Sequence, residues 1–469
     1  MDAYDLVVVG NGAVGSIAAI QTKRRFPEMR IAIVGKSARP GAASTAAGAM
    51  AAVYGEIEAC SDSMESTHHK YFQIGEKSSS LWRSFLIETQ GSSVITCEDT
   101  LLFLKRNASD FEIRNFEAAA NAAISNSVGK FEAPTAPGTS IGLHPGRIES
   151  LIRVHGEFGY CPIALFKHLD SLTKSLGIDQ FDAHAKAVDP ASNLVFLDAS
   201  DSEFDNKISI LYGRKILMAS GSMTSNLLSE TDILPMFQGV GSAVLIAPHN
   251  GLTALPKAVI RSVNRGGAQC GIHLVPRSDG STYLGAGNYV SLPGESLHRL
   301  DTITYLINTF EKDFGSRRSV YELNGDFVVG LRPRSLDGLP MIGALKNSPT
   351  IYVATAMNRL GLTWSTFVAE EFIKWIIGDR ASDWIEGWLP DREPVSFGSE
   401  FEAIDYFVES RLGNALEHEL VESTANAIAS KREEFRKVGT ELNRKVSLKI
   451  GGSNNLVIHP DNWSAILQS

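Results

Sequence analysis

Asp5-Leu-Val-Val-Val-Gly-Asn-Gly-Ala-Val-Gly15 is the stretch on which the reading of this chain turns. Residues 6–9 are all apolar, as in a parallel strand buried on both faces. Gly10, Gly12 and Gly15 then fit G-x-G-x-x-G, and residues 16–25 continue as a helix with Ile17, Ala18 and Ile20 apolar. Gly10 permits the tight strand-to-helix turn, Gly12 lets a pyrophosphate approach the backbone, and Gly15 lets helix and strand pack closely. Phosphates then rest on the helix N-terminus, where unpaired N–H groups and the helix dipole favour an anion. Because strand, turn and helix are all present, the segment is expected to bind a dinucleotide through Gly10, Gly12, Ala13, Val14 and Gly15.

The next element leaves the dinucleotide open. A second strand at 31–34 ends where an acidic residue normally grips the ribose, yet the chain continues Gly35-Lys-Ser37. Either backbone or Ser37 holds the ribose, or Lys36 meets a phosphate-bearing ribose. After it, residues 39–50 are almost all small. Such a segment suits backbone packed against a flat ligand better than it suits a linker.

A length of 469 residues corresponds to about three domain-sized units, fewer if they interleave. With 43% hydrophobic and 21% charged residues, the composition is that of an ordinary soluble globular protein. A net charge of -9 argues against nucleic acid as a partner. Cys60, Cys97, Cys161 and Cys270 are scattered, which argues against a metal centre or a disulfide framework and for free thiols in a reducing compartment. No apolar run reaches membrane-spanning length, and the first strand begins too early to leave room for a signal peptide. A cytoplasmic location is the expectation.

Further along, the pattern predicts helices over 61–90, 110–125, 162–176, 297–314 and 364–377. His68 and His69 are adjacent, so on a helix they diverge and are expected to be solvated rather than to share a metal. A strand pair is expected at 94–104 and a loop at 134–146, and His155 to Pro162 leads into a helix. Short strands are expected at 185–188, 194–198 and 208–211, then a buried strand from Lys215 that ends in a small-residue turn. Alternation between 239 and 290 suggests an antiparallel sheet, and 351–354 another strand. Past about 385 the chain changes character, with a charged helix-like run over 401–437.

Three separated segments together resemble one family. They are the glycine motif followed by Ser44-Thr-Ala-Ala-Gly-Ala-Met50, the turn Ala219-Ser-Gly-Ser222, and Gly330-Leu-Arg-Pro333 with Asp337-Gly-Leu-Pro-Met-Ile-Gly343. In order and spacing, over roughly residues 4–380, they look like the D-amino-acid oxidase family of flavoproteins, nearest in pattern to glycine oxidase and sarcosine oxidase. The resemblance implies an α/β fold in which a Rossmann-like FAD-binding domain (1–58, 145–225, 330–385) interleaves with an α+β substrate domain (59–144, 226–329) whose antiparallel sheet roofs the flavin. Residues 386–469 would be a helical extension, serving as a cover, a homo-oligomer arm or a site for a partner subunit.

The resemblance also implies a reaction and a set of contacts. The reaction is oxidation of a C–N bond of an amine or amino acid: hydride passes from the α-carbon to flavin N5, an imine forms, and O2 or another acceptor takes the electrons. An unprotonated amine needs no protein base. Lys36 and Ser37 would lie by the ribose, and Ser44, Thr45, Ala47, Gly48, Ala49 and Met50 along the cofactor, the last three beside the isoalloxazine ring. Val188 would lend backbone to the adenine side and Gly221 would touch the adenosine. Asn358, Arg359, Leu360, Gly361 and Leu362 would approach the pyrimidine edge. Arg332 matches the arginine that grips the substrate carboxylate, a pairing that suits a planar guanidinium, with a structural salt bridge as the alternative. His273 falls near an active-site tyrosine of related oxidases or is a core histidine; Arg359 is a second anion contact or a loop cap. No cysteine stands in 330–333, so no covalent flavin link is expected there. Two other readings stand beside this one: an NAD(P) dehydrogenase, in which the later segments have no place, and a partner-dependent or non-catalytic flavoprotein subunit, for which the extension is the motive.

Overall fold

The computed structural model describes residues 2–58, 62–133, 143–198, 210–247, 257–264, 270–294, 297–314, 324–417, 419–422, 424–451 and 456–469. Cys60 and most of the loop expected at 134–146 lie outside them.

Two sheets carry the molecule. The first runs, from edge to edge, Met341–Ala344, Ile351–Thr355, Ile210–Met218, Asp2–Val9, Ile31–Val34 and Asp179–Phe181. Neighbours along this path are parallel except the Met341–Ala344 edge; Leu194–Leu197 joins the same sheet antiparallel beside the start of Ile210–Met218 and pairs antiparallel with Ala185–Asp189. The apolar run at 6–9 is explained by its two faces. Leu6 and Val8 point into a core with Ile17 of the helix Ala13–Arg25, whereas Val7 and Val9 point into a second core with Val188 and Val195. Alternate side chains of a strand lie on opposite faces, so both sets must be apolar. The helices Ala13–Arg25, Pro162–Ser175 and Gly361–Ile377 pack together on the first of these faces.

The second sheet runs Gly325–Ser335, Met236–Ile246, Thr282–Ser291, His273–Pro276, Val259–Ser262, Ile95–Lys105, Ile148–Tyr160 and Met50–Ala51, with Gly129–Glu132 added beside Ile148–Tyr160. It is antiparallel apart from the pair formed by Val259–Ser262 and Ile95–Lys105. Ile148–Tyr160 and Gly325–Ser335 belong to this sheet, although 145–225 and the start of 330–385 are assigned to the other domain by resemblance. The chain therefore changes sheet at the ends of these long strands.

Several local expectations are redrawn. Residues 95–105 form one strand rather than a pair; His155 to Tyr160 complete a strand, Ile148–Tyr160, that leads into the helix Pro162–Ser175 as expected. The two strands expected at 208–211 and from Lys215 are one, Ile210–Met218. The charged run at 401–437 is divided into Glu400–Glu417 and Ala425–Lys449. Thr424 begins the second helix as its N-cap, its Oγ1 accepting the Ala427 N–H at 3.3 Å. A capping box at Ser109 and Glu112 starts the helix Asp110–Ser125.

The extension is integral to the packing. Phe407, Trp463 and Ile466 share a core with Phe237 and Val290 of the second sheet, and Trp463 is fully buried. Lys105 of that sheet sits between Asp313, at 2.7 Å, and Glu417 of the extension, at 2.8 Å, all with buried side chains.

Candidate cofactor and active site

A cavity of about 380 Å³ follows the C-terminal ends of the parallel strands, beginning at Gly10–Val14 and ending at His273 and Arg332 beneath the second sheet. That size is typical of a cofactor or small-molecule site. Its first end is made by removing side chains. Gly10 has φ +113°, and a Cβ there would lie 2.3 Å from the Ala219 carbonyl oxygen. A Cβ on Gly15 would lie 1.9 Å from the Gly10 oxygen, so Gly15 lies beneath the cavity and holds helix against strand without lining it. Gly12 is the N-cap of Ala13–Arg25, whose first turn holds no acidic residue, and the Ala13 N–H meets Ser44 Oγ at 3.3 Å. A dinucleotide pyrophosphate fits this cradle of open backbone and positive helix end.

The missing ribose acid has a local reason. A Cβ at Gly35 would come 2.5 Å from Asn11 Oδ1, because the Asn11 side chain lies there and donates from Nδ2 to the Lys36 carbonyl at 2.8 Å. Ser37 turns away: its N–H and Oγ donate to Asp182 at 2.8 and 3.1 Å, and it does not line the cavity. Lys36 and Arg39 do line it. Arg39 donates from Nε to the Asn11 carbonyl at 2.9 Å, pairs with Asp170, and packs over the Phe166 ring. Thr45 bonds its own turn, Oγ1 to the Ala42 carbonyl at 3.0 Å, and Val188 is sunk in the second core. Neither lines the cavity; Ala183, His184 and Ala185 stand near Val188 and do. Ser44, Ala47, Gly48, Ala49, Met50, Gly221, Asn358, Leu360, Gly361 and Leu362 all reach it.

The other end is built from charge. Arg332, on Gly325–Ser335, lies across the neighbouring strand at Gly241, where a Cβ would fall 2.6 Å from the guanidinium carbon. Its Nη1 is buried with no hydrogen-bond partner among the described residues. His273 is buried, stacks on Tyr283 at 5.6 Å, and places Nδ1 3.0 Å from the Gly271 carbonyl. A carbonyl only accepts, so Nδ1 carries the proton and Nε2 offers a lone pair. Nε2 stands 2.8 Å from where a Gly48 Cβ would be. Desolvation, then the Arg261 charge, push its pKa down to about 3, so the ring is neutral.

Arg359 behaves differently from Arg332. Its Nε pairs with Glu56, and its Nη2 with Glu58 at 2.5 Å. Glu56 also takes Arg261 at 2.8 Å and the Asn264 amide at 3.0 Å. Despite desolvation, the Arg359 and Arg261 charges hold the Glu56 carboxyl down at about 2. The Arg359 charge is thus already matched by carboxylates, which favours the structural reading of that residue. Of this cluster the sequence reading found only Arg359. The available signal was Glu56, a charge standing within the otherwise apolar run 49–57.

His68 is not solvated. It lines a small cavity of about 70 Å³ with Glu58 and with Tyr406 and His459 of the extension, and desolvation lowers its pKa; His69 is exposed. Cys97, Cys161 and Cys270 are buried, and none of them is in a disulfide among the described residues. Among the described residues no cluster could hold a metal, and no helix is long and apolar enough to cross a membrane.

A largely parallel sheet with a glycine cradle at its strand ends, an antiparallel sheet beside it, and a cavity that reaches from the cradle to Arg332 make the arrangement of a dinucleotide-dependent enzyme. The family model for FAD-dependent oxidoreductases (DAO) matches residues 5–375, and the chain belongs to that family: it is an FAD-dependent oxidoreductase. No curated protein matches significantly. Among solved structures the fold is similar to glycine oxidase from Geobacillus kaustophilus, at TM-score 0.67 and 15% identity, covering 84% of this chain and 100% of that one. It is also similar to iminodiacetate oxidase from Chelativorans sp. BNC1, at 0.65 and 13%, covering 83% and 100%. L-proline dehydrogenase from P. horikoshii matches at 0.63 and 15%, covering 83% and 97%. At such identities the likeness is one of fold. The family match ends before the helices Glu400–Glu417 and Ala425–Lys449.

Proposed function

We propose that this enzyme oxidises a C–N bond of a small amine or amino acid that carries a carboxylate. The observation that carries the reading is Arg332: a half-buried arginine whose Nη1 is buried and unsatisfied among the described residues, in the same cavity as the glycine cradle. An orphaned buried donor is costly, so a ligand acceptor there is strongly favoured. FAD, when bound, supplies the hydride acceptor and takes the two electrons. The chain's own residues bind and orient. Arg332 grips the carboxylate in two-pronged fashion. Gly48, Ala49 and Met50 keep the wall beside the ring flat, and neutral His273 offers Nε2 as an acceptor to the substrate nitrogen. With a pKa near 3, His273 does not act as a base at neutral pH, so the amine must arrive unprotonated or lose its proton to water. Iminodiacetate oxidase and glycine oxidase among the structural neighbours are in keeping with this substrate class. In the same reading, the first sheet and its helices hold FAD, while 59–144 and 226–329, together with the strands Ile148–Tyr160 and Gly325–Ser335, form the substrate side.

The test is anaerobic bleaching of the flavin spectrum by a panel of amines with and without a carboxylate. Carboxylate-bearing amines should reduce the flavin. Arg332→Met should keep its FAD and lose about 2–4 kcal/mol of transition-state binding, roughly 30- to 1000-fold in kcat/KM. Unchanged kinetics in that variant rule out the assigned role.

A further inference from the structure

A second cavity, of about 260 Å³, opens between the second sheet, the helix Leu300–Thr309 and the extension. Cys270 lines both this cavity and the main one. The two also meet across one strand pairing: Asn288, which lines the second cavity, is the register partner of Gly241, and Gly241 is the glycine on which the Arg332 guanidinium lies. The second cavity therefore adjoins the main one beside the Arg332 guanidinium.

The lining is charged in a particular way. Arg299 and Arg411 face the cavity, and among the described residues neither makes an ion pair. Arg299 is steadied over the Tyr289 ring at 3.8 Å, Arg411 over the Phe407 ring at 5.3 Å. Asp301 and Asp461 line the same cavity, but neither comes within ion-pair distance of Arg299 or Arg411. Asp301 accepts the Thr302 N–H at 2.6 Å, and Asp461 lies 3.2 Å from Arg334. Desolvation depresses the Arg411 pKa, Asp461 opposes this and the Arg299 charge adds to it. With no carboxylate at ion-pair distance, both guanidinium groups keep donors for an anionic group that enters the cavity. Arg411 comes from the extension, beyond the region the family model covers.

We propose that this second cavity receives the distal end of the substrate and that this end is acidic. The favoured substrates are then amines or amino acids with two carboxylates, one on Arg332 and the other on Arg299 and Arg411. The extension thereby completes the substrate site instead of merely covering the sheet. The inference rests on the reading of Arg332 above.

The experiment is a titration of the FAD-loaded enzyme, followed by the change in the flavin absorption spectrum, with acetate and propionate against succinate and glutarate. This reads binding and needs no turnover. A diacid should bind at least roughly tenfold tighter than the monoacids. Arg411→Gln and Arg299→Gln should each remove most of that advantage and leave monoacid binding unchanged; Arg411 is an exposed helix residue, so the fold should survive its change. Equal affinity for mono- and diacids overturns the proposal, as does a diacid advantage that persists in both variants. If no acid perturbs the flavin, and Arg332→Met changes nothing, the Arg332 reading falls first and this one with it.

Discussion

At one end of the main cavity, Gly10 and Gly12 present bare backbone while Gly15 beneath them lets helix and strand close; at the other, Glu56, Glu58, Arg261 and Arg359 hold one another in an ion network beside Arg332, whose Nη1 has no partner among the described residues. The first end binds by what has been taken away. In the proposed reading, the second binds through the donors that the network leaves over. Arg261, Arg332 and Arg359 all line the cavity; Arg332 has no carboxylate partner among the described residues and an Nη1 left over, whereas Arg261 and Arg359 are paired with carboxylates and of these two only Arg261 also keeps an unsatisfied Nη1. Having an arginine in the site is thus no guide to substrate contact until its carboxylate partners have been counted.

The largest expected effect breaks the glycine end. In Gly15→Val, the new Cβ falls 1.9 Å from the Gly10 carbonyl oxygen, and both atoms belong to rigid backbone. Helix and first strand must part, at a cost of more than about 4 kcal/mol. The purified protein should be colourless or insoluble. A variant with a normal ratio of flavin to protein absorbance means that the close helix–strand approach is not what builds the cradle.

Breaking the charged end should cost less and should spare the flavin. Glu56→Gln leaves Arg261 and Arg359 short of a buried carboxylate, worth about 3–5 kcal/mol of stability. Thermal melting of the FAD-loaded protein checks this, and Glu56→Gln combined with Arg359→Met should recover part of the loss. The acid limb sharpens the point. The Glu56 pKa lies at about 2 in the folded protein against an ordinary 4.5, so the unfolded chain takes up the proton first. Its stabilisation is complete above pH about 4.5 and is lost as pH falls toward 2. Denaturant midpoints at pH 5 and pH 3 should therefore differ more in the wild type than in Glu56→Gln; equal differences would falsify the buried-network account.

The same contrast explains what could be read from sequence. The glycine end is local: strand, turn and helix lie within Asp5 to Arg25, and the spacing of three glycines carries the geometry. Arg332 was legible because Gly330-Leu-Arg-Pro333 is a contiguous pattern. The network was not, since Glu56, Arg261 and Arg359 meet across 303 residues of chain between the first and the last. Gly35 misled for a related reason. Its cause is Asn11, 24 positions earlier by number, whose side chain takes the space an acidic side chain would need. The extension looked like an appendage because its apolar partners, Phe237 and Val290, come from a sheet far away in sequence.

The smallest effect concerns His273, at the charged end, with Nε2 against Gly48 of the small-residue wall. Its pKa is about 3 where an exposed imidazole has 6.5, and the first cause is desolvation. The folded protein therefore keeps the ring neutral, and its share of stability is full above pH 6.5 and declines as pH falls toward 3. Between pH 6 and 9 the pH profile of kcat/KM should carry no inflection from this residue. His273→Gln, which keeps a carbonyl acceptor on a side chain of similar reach, should lower kcat/KM only about 3- to 10-fold, as expected for one uncharged hydrogen bond of about 0.5–1.5 kcal/mol. An inflection near 6.5 that disappears in His273→Gln would show that the ring titrates and takes the amine proton itself. Positioning by neutral groups would then give way to general-base catalysis, and the substrate end would no longer be defined by Arg332 alone.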